Sequence, residues 1–231
     1  MSEKAKIMQR YVLYTEGKEI ILKYSEVFNF QKGLAKVKKD GLYGFIDETG
    51  KEIVTPKYNE AHNFINGFAR VKRYNKWGFI DETGKEIVEP KYSWVDEFFD
   101  GLAEVKLDGL YGFIDETGKE IVEPKYNEVL YDFVNGFAKV KHNDKWGFIN
   151  KTGKEIVEPK YNRVNDFGNG FAGVKLNGKW GFIDETGKEI VTPKYDNVYK
   201  FNHGFAKVKM KGGIGIIDET GKEVVPPVLT P

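Results

Sequence analysis

Hydrophobic and polar residues alternate along most of the chain, in short runs that recur at a fixed interval. In Gly-Phe-Ala-Arg-Val-Lys, at 67–72, Ala69 and Val71 alternate with charged residues, a period of two that predicts a strand with one face in water. A second run, Trp-Gly-Phe-Ile-Asp at 77–81, places Trp77 and Phe79 on one face of a strand and Gly78 and Ile80 on the other. A third, Lys-Glu-Ile-Val at 85–88, is short and ends in β-branched residues. Each interval is therefore predicted to contain three strands.

Turn residues separate these runs. Asp-Gly or Asn-Gly stands between the first and second strands at 40–41, 108–109 and 177–178, where both residues tolerate the positive φ of a tight hairpin. Asp-Glu-Thr-Gly separates the second strand from the third, and its variant at 150–153 keeps the turn-forming character with Asn in place of Asp. A proline follows each third strand, and it either ends the strand or marks a sheet edge. These prolines are Pro56, Pro90, Pro124, Pro159, Pro193 and Pro226.

An aromatic–glycine pair begins each second strand, and successive pairs are 34 or 35 residues apart. The first residues of these pairs are Tyr43, Trp77, Tyr111, Trp146 and Trp180, and Ile214 takes the place of the ring in a sixth, degenerate copy. Residues 11–24 look like a decayed copy of the second and third strands alone. The sequence is thus divided into an N-terminal cap with a decayed half repeat at 1–24, a repeat array at 25–227 and a tail at 228–231.

A three-stranded unit of this size cannot bury both faces alone, so neighbouring units must stack. The predicted fold is all-β: a repeat array of about six three-stranded antiparallel meanders, each followed by a tethered loop. Both ends of the chain carry second and third strands rather than complementary fragments. This favours an open curved or superhelical array over the alternative, a closed six- or seven-bladed propeller-like ring.

The residues Trp77–Asp81, followed by Gly84 and Pro90, closely resemble the bacterial WG (KWG) repeat. The resemblance extends from about residue 11 to residue 227. It implies a role in interactions and brings no catalytic residues. Tyr43, Tyr111 and Ile214 depart from the motif by replacing Trp, which argues against any role that needs an indole in every repeat.

Charge and composition narrow the function classes. The 36 basic side chains almost cancel the 35 acidic ones, leaving a formal charge of +1, whereas nucleic-acid binders usually show a basic excess. Nucleic acid is therefore an unlikely partner. The chain has no Cys, no apolar run of signal-peptide length at its start and no run long enough to cross a membrane. We expect a cytoplasmic location with no membrane association.

Catalytic groups are sparse. Hydrolase nucleophiles need a base beside them, and the few Ser and His residues form no recognisable motif. We expect the histidines to be unrelated surface residues and the repeated Asp to be turn formers, with no metal and no cofactor. The chain is thus predicted not to be an enzyme. The residues concerned are Ser2, Ser25, Ser93, His62, His142 and His203.

Aromatic residues are the one chemical surplus, at 15% of the chain. The rings at the start of the second strands are predicted to fill the space between units, although an outward-facing ladder could stack sugars, bases or a peptide. Residues that break the repeat are better candidates for a specific surface, since aromatic and Arg side chains are enriched at interface anchors. These candidates are Trp94, Arg70, Arg73, Arg163, Tyr74, Tyr131 and Tyr199.

The predicted function is a non-enzymatic binding or scaffolding module that presents a repeat surface to a protein or peptide. One alternative is a ligand-binding protein for glycans or small anionic molecules at equivalent sites between repeats. A second alternative is a purely structural spacer. The sequence does not identify the partner.

Overall fold

The fold is all-β and repetitive, as predicted. A computed structural model of the chain describes residues 11–15 and 17–228, and for residues 14, 15, 18, 131 and 132 the backbone alone. The described part contains one two-stranded hairpin and six four-stranded antiparallel sheets, each with its strands paired in sequence order. The hairpin is formed by Tyr11–Thr15 and Lys18–Leu22 and lies in the predicted cap, whose residues 1–10 are outside the described range.

Each of sheets 1 to 6 begins with a strand that we call the short strand, because it has two residues in every sheet except sheet 4, where it has seven. Three strands of six or seven residues, called the long strands, follow it. The short strands are Glu26–Val27, Glu60–Ala61, Trp94–Val95, Glu128–Val134, Arg163–Val164 and Asn197–Val198. The first long strands are Leu34–Lys39, Phe68–Arg73, Leu102–Leu107, Phe137–His142, Phe171–Leu176 and Phe205–Met210. The second are Leu42–Asp47, Lys76–Asp81, Leu110–Asp115, Lys145–Asn150, Lys179–Asp184 and Gly213–Asp218. The third are Glu52–Tyr58, Glu86–Tyr92, Glu120–Tyr126, Glu155–Tyr161, Glu189–Tyr195 and Glu223–Val228.

The short strand corrects the prediction of three-stranded units. Part of the connection that was expected to be an irregular tethered loop pairs with the first long strand of the next sheet. In sheet 2, the amides of Asn59 and His62 donate to the carbonyls of Lys72 and Arg70 at 2.8 and 2.9 Å. An unpaired strand edge exposes backbone groups that need partners, and the connection supplies them.

The third long strand continues past its proline because a bulge absorbs the residue that cannot donate to the ladder. In sheet 1, Phe45 pairs with Val54 and Tyr43 with Tyr58, and the register shifts between these pairs. Pro56 lies in the bulge, on an edge strand, which is one of the two predicted roles of proline. The bulged backbone passes so close to Gly44 that a Cβ there would collide with the carbonyl oxygen of Val54. The glycine of the aromatic–glycine pair is therefore a packing requirement.

The hydrophobic core lies between consecutive sheets rather than within any one of them. We call the side that carries Phe79, Val88 and Tyr92 in sheet 2 the front face, and the opposite side the back face. These three side chains pack against Val105 and Ile114 of the back face of sheet 3 in one buried cluster. Clusters of the same composition lie between sheets 1 and 2, 4 and 5, and 5 and 6, and the hairpin covers sheet 1 in the same way. Each of these joints within units 1 and 2 is thus built from the same kinds of residue.

The Asp-Glu-Thr-Gly segments are turns, as predicted. In the first of them, Oδ1 of Asp47 accepts hydrogen bonds from the amide and hydroxyl of Thr49 and from the amide of Lys51, at 2.6 to 3.0 Å. The Thr49 hydroxyl bond holds the pKa of Asp47 below its usual range. The same arrangement occurs at Asn150, which shows that an amide oxygen is sufficient. The repeated acid is explained by local structure.

The chain divides into two compact units, residues 1–120 and 121–231. Unit 1 contains the hairpin, sheets 1 and 2 and most of sheet 3, and unit 2 contains sheets 4 to 6. The strand Glu120–Tyr126 contains the division. Within the described ranges, no helix has the length and apolar character needed to cross a membrane.

Candidate functional site

The aromatic ring that begins each second strand is half-buried and lies beneath a lysine. In sheet 2, Trp77 pairs across the ladder with Lys72, whose Nζ lies 5.2 Å from a ring centroid of the indole. The corresponding distances for the other four rings are 4.4 to 5.7 Å, for Lys38–Tyr43, Lys106–Tyr111, Lys141–Trp146 and Lys175–Trp180. The prediction assigned these rings to the core, whereas the structure places them at its margin, where Tyr43, Trp77 and Trp180 pack against the buried clusters.

The lysine itself faces the first residue of the short strand. In three sheets that residue is a glutamate, and it forms an ion pair with the lysine. These pairs are Lys38–Glu26 at 3.2 Å, Lys72–Glu60 at 2.7 Å and Lys141–Glu128 at 3.4 Å. In sheets 3, 5 and 6 the same position holds Trp94, Arg163 and Asn197, opposite Lys106, Lys175 and Lys209. Two of the residues that break the repeat, Trp94 and Arg163, thus occupy the same structural position.

Arg163 lies at the edge of a cleft in unit 2. The cleft has a volume of about 270 Å³. Its lining consists of two indole rings, three other polar or charged side chains and two aliphatic ones, namely Trp146, Trp180, Arg163, Lys139, Asn165, Leu130 and Val164. We call this the Arg163 cleft. Two rings that the sequence assigned to the core and one arginine that it assigned to a binding surface are brought together here.

Among the described side chains that line it, the Arg163 cleft has two basic groups and no acidic one. Lys139 is neutralised by Asp166 at 2.5 Å. Arg163 is exposed, faces Lys175 across the ladder, and in the described part of the chain neither of them forms an ion pair. Where sheets 1, 2 and 4 place a carboxylate against the lysine, sheet 5 places a second cation.

Arg70, in unit 1, has a different environment, because it is already compensated. Its guanidinium lies 2.9 Å from Glu97, donates to the carbonyl of Val95 at 3.4 Å, and approaches Nδ1 of His62 at 3.4 Å. Burial, followed by the charges of Arg70 and Lys36, lowers the pKa of His62. This arginine therefore joins sheet 2 to sheet 3 and leaves little charge for a partner.

The remaining predicted residues are dispersed. Arg73 lies 3.7 Å from Glu86 and 6.0 Å from the ring of Tyr74, which is fully exposed in a turn at positive φ. Trp94 contacts Tyr111 edge-on, with ring centroids 6.4 Å apart. Tyr199 is exposed.

The side chain of Tyr131 lies outside the described part. Within each unit, the structure brings together Arg73 with Tyr74, Trp94 with Tyr111, and Arg163 with the two indoles.

A family model described as WG containing repeat matches residues 15–43, 43–77, 77–111, 111–146, 146–180 and 180–213. These six consecutive matches cover most of the chain, and five of their boundaries fall on the half-buried rings. The chain belongs to the WG-containing repeat family. The WG repeat of this family therefore begins at the ring and ends at the next one, so one WG repeat spans the joint between two sheets.

Solved structures give a more distant comparison. The WG repeats are similar to Kluyveromyces lactis Hsv2p, with 11% identity over 85% of this chain and 74% of that one, at a TM-score of 0.32. For a eukaryotic initiation factor the identity is 13% over 86% of this chain and 63% of that one, and the TM-score is 0.40. For the dihydro-heme d1 dehydrogenase NirN the identity is 14% over 97% of this chain and 65% of that one, and the TM-score is 0.31. No curated protein sequence matches the chain. At scores this low, nothing about these proteins' functions is transferred to this one.

Sequence reasoning missed four lining residues of the cleft, Leu130, Lys139, Val164 and Asn165. Lys139 belongs to a repeated lysine position and gave no signal of its own. The extra residue of this repeat was visible as the 35-residue spacing between Tyr111 and Trp146, and the structure places Leu130 in the strand Glu128–Val134 of the same repeat. Among residues 11–15 and 17–228, no three His, Asp or Glu side chains are gathered as a metal site would require.

Proposed function

We propose that this WG-repeat chain is a non-enzymatic binding module that holds an acidic peptide segment of a protein partner in the Arg163 cleft. The observation that carries the proposal is the exposed guanidinium of Arg163 beside Lys175, without an ion pair among the described side chains, at the position where three other repeats have glutamate. Guanidinium binds carboxylate through two parallel hydrogen bonds, so a Glu or Asp side chain fits this position.

The two indoles indicate which side chains should lie next to the Glu or Asp of the bound peptide. Trp146 and Trp180 are half-buried on the walls of the cleft, and Leu130 is exposed at its edge. Tryptophan and arginine are the residues most enriched among energetic anchors of protein interfaces. A segment with an apolar or aromatic side chain next to its carboxylate would use both features of the cleft.

The structure supports the binding of glycans or small anions at equivalent sites less well than the binding of an acidic peptide. A lysine lies over each of the five rings, so one ring face is already occupied by a cation. Arginine occurs in only one of the six short-strand positions. A single specific site is therefore favoured over a series of equal ones.

A structural spacer would not need the departure at Arg163. Glutamate at this position forms an ion pair with the neighbouring lysine in sheets 1, 2 and 4, so arginine in sheet 5 exchanges an ion pair for a repulsion between two cations. That local cost is more easily understood if a partner supplies the missing anion.

The experiment uses the chain's four tryptophans as probes. Short peptides that place Glu or Asp beside aromatic or aliphatic side chains are titrated into the protein, while the four indole N–H resonances are followed by NMR. We expect the resonances of Trp146 and Trp180 to shift and those of Trp77 and Trp94 to remain. Peptides with Gln or Asn in place of the acid are the matched negative probes.

Arg163→Glu restores the residue that other repeats carry and so should fold normally. It should weaken binding about 10- to 100-fold, since hydrogen bonds to charged groups contribute about 1.5–3 kcal/mol. Trp94→Glu makes the corresponding change in sheet 3 and should leave binding unchanged. Equal binding by the Arg163→Glu protein, or saturation at five sites, would rule out the proposal.

A further inference from the structure

Asparagine is followed by glycine at four places in the chain, each time in a two-residue hairpin turn. Since glycine has no Cβ beside its backbone nitrogen, that nitrogen can approach the side-chain carbonyl carbon of the preceding residue. In all four turns φ is 49 to 52° for the asparagine and 82 to 88° for the glycine, so the backbone does not distinguish them. The pairs are Asn66–Gly67, Asn135–Gly136, Asn169–Gly170 and Asn177–Gly178.

Three of the four asparagine side chains are held by the next sheet. Nδ2 of Asn169 in sheet 5 donates a hydrogen bond to the carbonyl of Phe201 in sheet 6 at 2.8 Å. The equivalent bonds are Asn66–Phe98 at 3.1 Å and Asn135–Phe167 at 2.8 Å. Each bond fixes the side-chain amide in one orientation, and it must break before that amide can turn toward its own main chain.

The side chain of Asn177 is not held in this way. It lies in the turn between the first and second long strands of sheet 5. Its main-chain amide donates to Oδ1 of Asn162 at 2.9 Å, whereas its side-chain amide forms no hydrogen bond within residues 11–15 and 17–228. A Cβ on Gly178 would meet nothing within 4 Å, so the space beside the turn is open. Asn177 and Asn169 are both exposed, so the hydrogen bond is what distinguishes them.

We propose that Asn177 is a site of spontaneous deamidation, at which the side chain loses ammonia and becomes an acid. The nitrogen of Gly178 gives its proton to solvent and attacks Cγ of Asn177. The bond from Cγ to Nδ2 then breaks, Nδ2 takes up a proton and leaves as ammonia, and a cyclic imide remains. Water opens the imide at either of its carbonyls, which gives aspartate or isoaspartate.

The two products should affect the hairpin differently. Asp40 and Asp108 occupy the same turn position in sheets 1 and 3, at φ of 51 and 50°, so the fold accepts aspartate there. Isoaspartate adds one carbon to the main chain of a two-residue turn, and the length of that turn sets the pairing of Leu176 with Lys179. The isoaspartate product should therefore loosen the hairpin, and either product adds one negative charge.

Trypsin places the four pairs in four separate peptides, residues 58–70, 126–139, 164–175 and 176–179. The folded chain is incubated at mildly alkaline pH, and the deamidated fraction of each peptide is followed by mass spectrometry. We expect peptide 176–179 to change about 2- to 10-fold faster than the other three, which is the factor that one ordinary hydrogen bond supplies. In urea, which unfolds the sheets, the four rates should become alike.

Asn177→Lys is the matched variant, because Lys211 occupies the same turn position in sheet 6 at a φ of 51°. Ion-exchange chromatography should show acidic species that accumulate more slowly in this variant than in the original chain. Equal rates for the four peptides of the folded chain, or a faster change in any of the three held asparagines, would overturn the proposal. Equal accumulation of acidic species in the variant and the original would also overturn it.

Discussion

The hydroxyl of Tyr92 donates a 2.7 Å hydrogen bond to Oε1 of Glu120, which lies 28 residues further along the chain and in the next sheet. Lys91 donates to the same oxygen at 2.8 Å. The tyrosine ring is buried in the joint between sheets 2 and 3 while its hydroxyl reaches a partly exposed carboxylate. The same bond is formed by Tyr24–Glu52, Tyr58–Glu86, Tyr126–Glu155, Tyr161–Glu189 and Tyr195–Glu223.

Removing one of these hydroxyls should destabilise the chain without disturbing its core. We expect Tyr161→Phe to lower the free energy of unfolding by about 1–3 kcal/mol, since it deletes a hydrogen bond to a charged acceptor and leaves the ring in place. Urea unfolding followed by tryptophan fluorescence measures the change. Tyr199→Phe is the matched control, because that side chain is exposed, and it should have no measurable effect.

The carboxylates at the joints should make the chain sensitive to acid. The hydrogen bonds from Lys91 and Tyr92 lower the pKa of Glu120 below its usual value of 4.5. A lowered pKa in the folded state gives a contribution that is present above pH 4.5 and is lost as pH falls through the folded-state pKa. The free energy of unfolding should therefore decrease as the pH is lowered below 4.5.

Glu120→Gln should be less stable than the original chain at neutral pH and should show a shallower decline in acid. Chemical unfolding at a series of pH values measures both effects. Glu116→Gln, on an exposed turn residue, should follow the original curve. Parallel curves for the Glu120 variant and the original would contradict the assigned role.

Glu104 should have the opposite pH dependence. It is 6% exposed, at a position that holds Lys36, Arg70 and Lys139 in other sheets. Burial, followed by the charge of Asp96, raises its pKa to about 7, although Lys106 opposes the shift. A raised pKa in the folded state favours the protonated form, so stability is lost as pH rises through 7.

Glu104→Gln should therefore be more stable than the original chain at pH values above 7, by about 1–3 kcal/mol, and should lose this advantage in mild acid. Thermal and urea unfolding on both sides of neutrality measure the difference. Glu89→Gln, on an exposed side chain, is the control. A variant that is less stable at high pH would show that the ionised carboxylate has a favourable partner.

The glycine after each ring should be irreplaceable. A Cβ on Gly78 would collide with the carbonyl oxygen of Val88 and lie 2.7 Å from the nitrogen of Pro90. Because backbone atoms cannot move aside cheaply, Gly78→Ala should cost more than about 3 kcal/mol of unfolding free energy or prevent folding. Gly168→Ala, where a Cβ would meet nothing within 4 Å, should unfold at nearly the original denaturant concentration.

Much of the fold was predictable because the repeat presents each local signal several times. Strand alternation, the Asp-Gly turns and the decayed hairpin at 11–24 all follow from short-range patterns. The short strand was not predictable in this way, since only its partner across the sheet makes a two-residue segment such as Glu60–Ala61 a strand. Pro56 was also ambiguous, because whether it ends a strand or sits in a bulge depends on the backbone beside it.

The site was predictable in part, through the residues that depart from the repeat. Arg163 and Trp94 were visible as departures, and the structure places both at the same short-strand position. The sequence did not show that Arg70 forms an ion pair while Arg163 does not, within the described residues, because the carboxylate that pairs with Arg70 is Glu97, in the next repeat. The position of a lysine over each ring was also not predicted from the sequence, since the lysine and the ring belong to different strands.

The sharing of each core cluster between two sheets has a consequence for how such a chain can change length. Within each unit, every joint sets the same residue types on one side against the same residue types on the other. A duplication or deletion of one whole repeat would create a new joint from halves that already match. Arrays of this kind can therefore be lengthened or shortened by recombination between gene segments without any compensating substitution in the core.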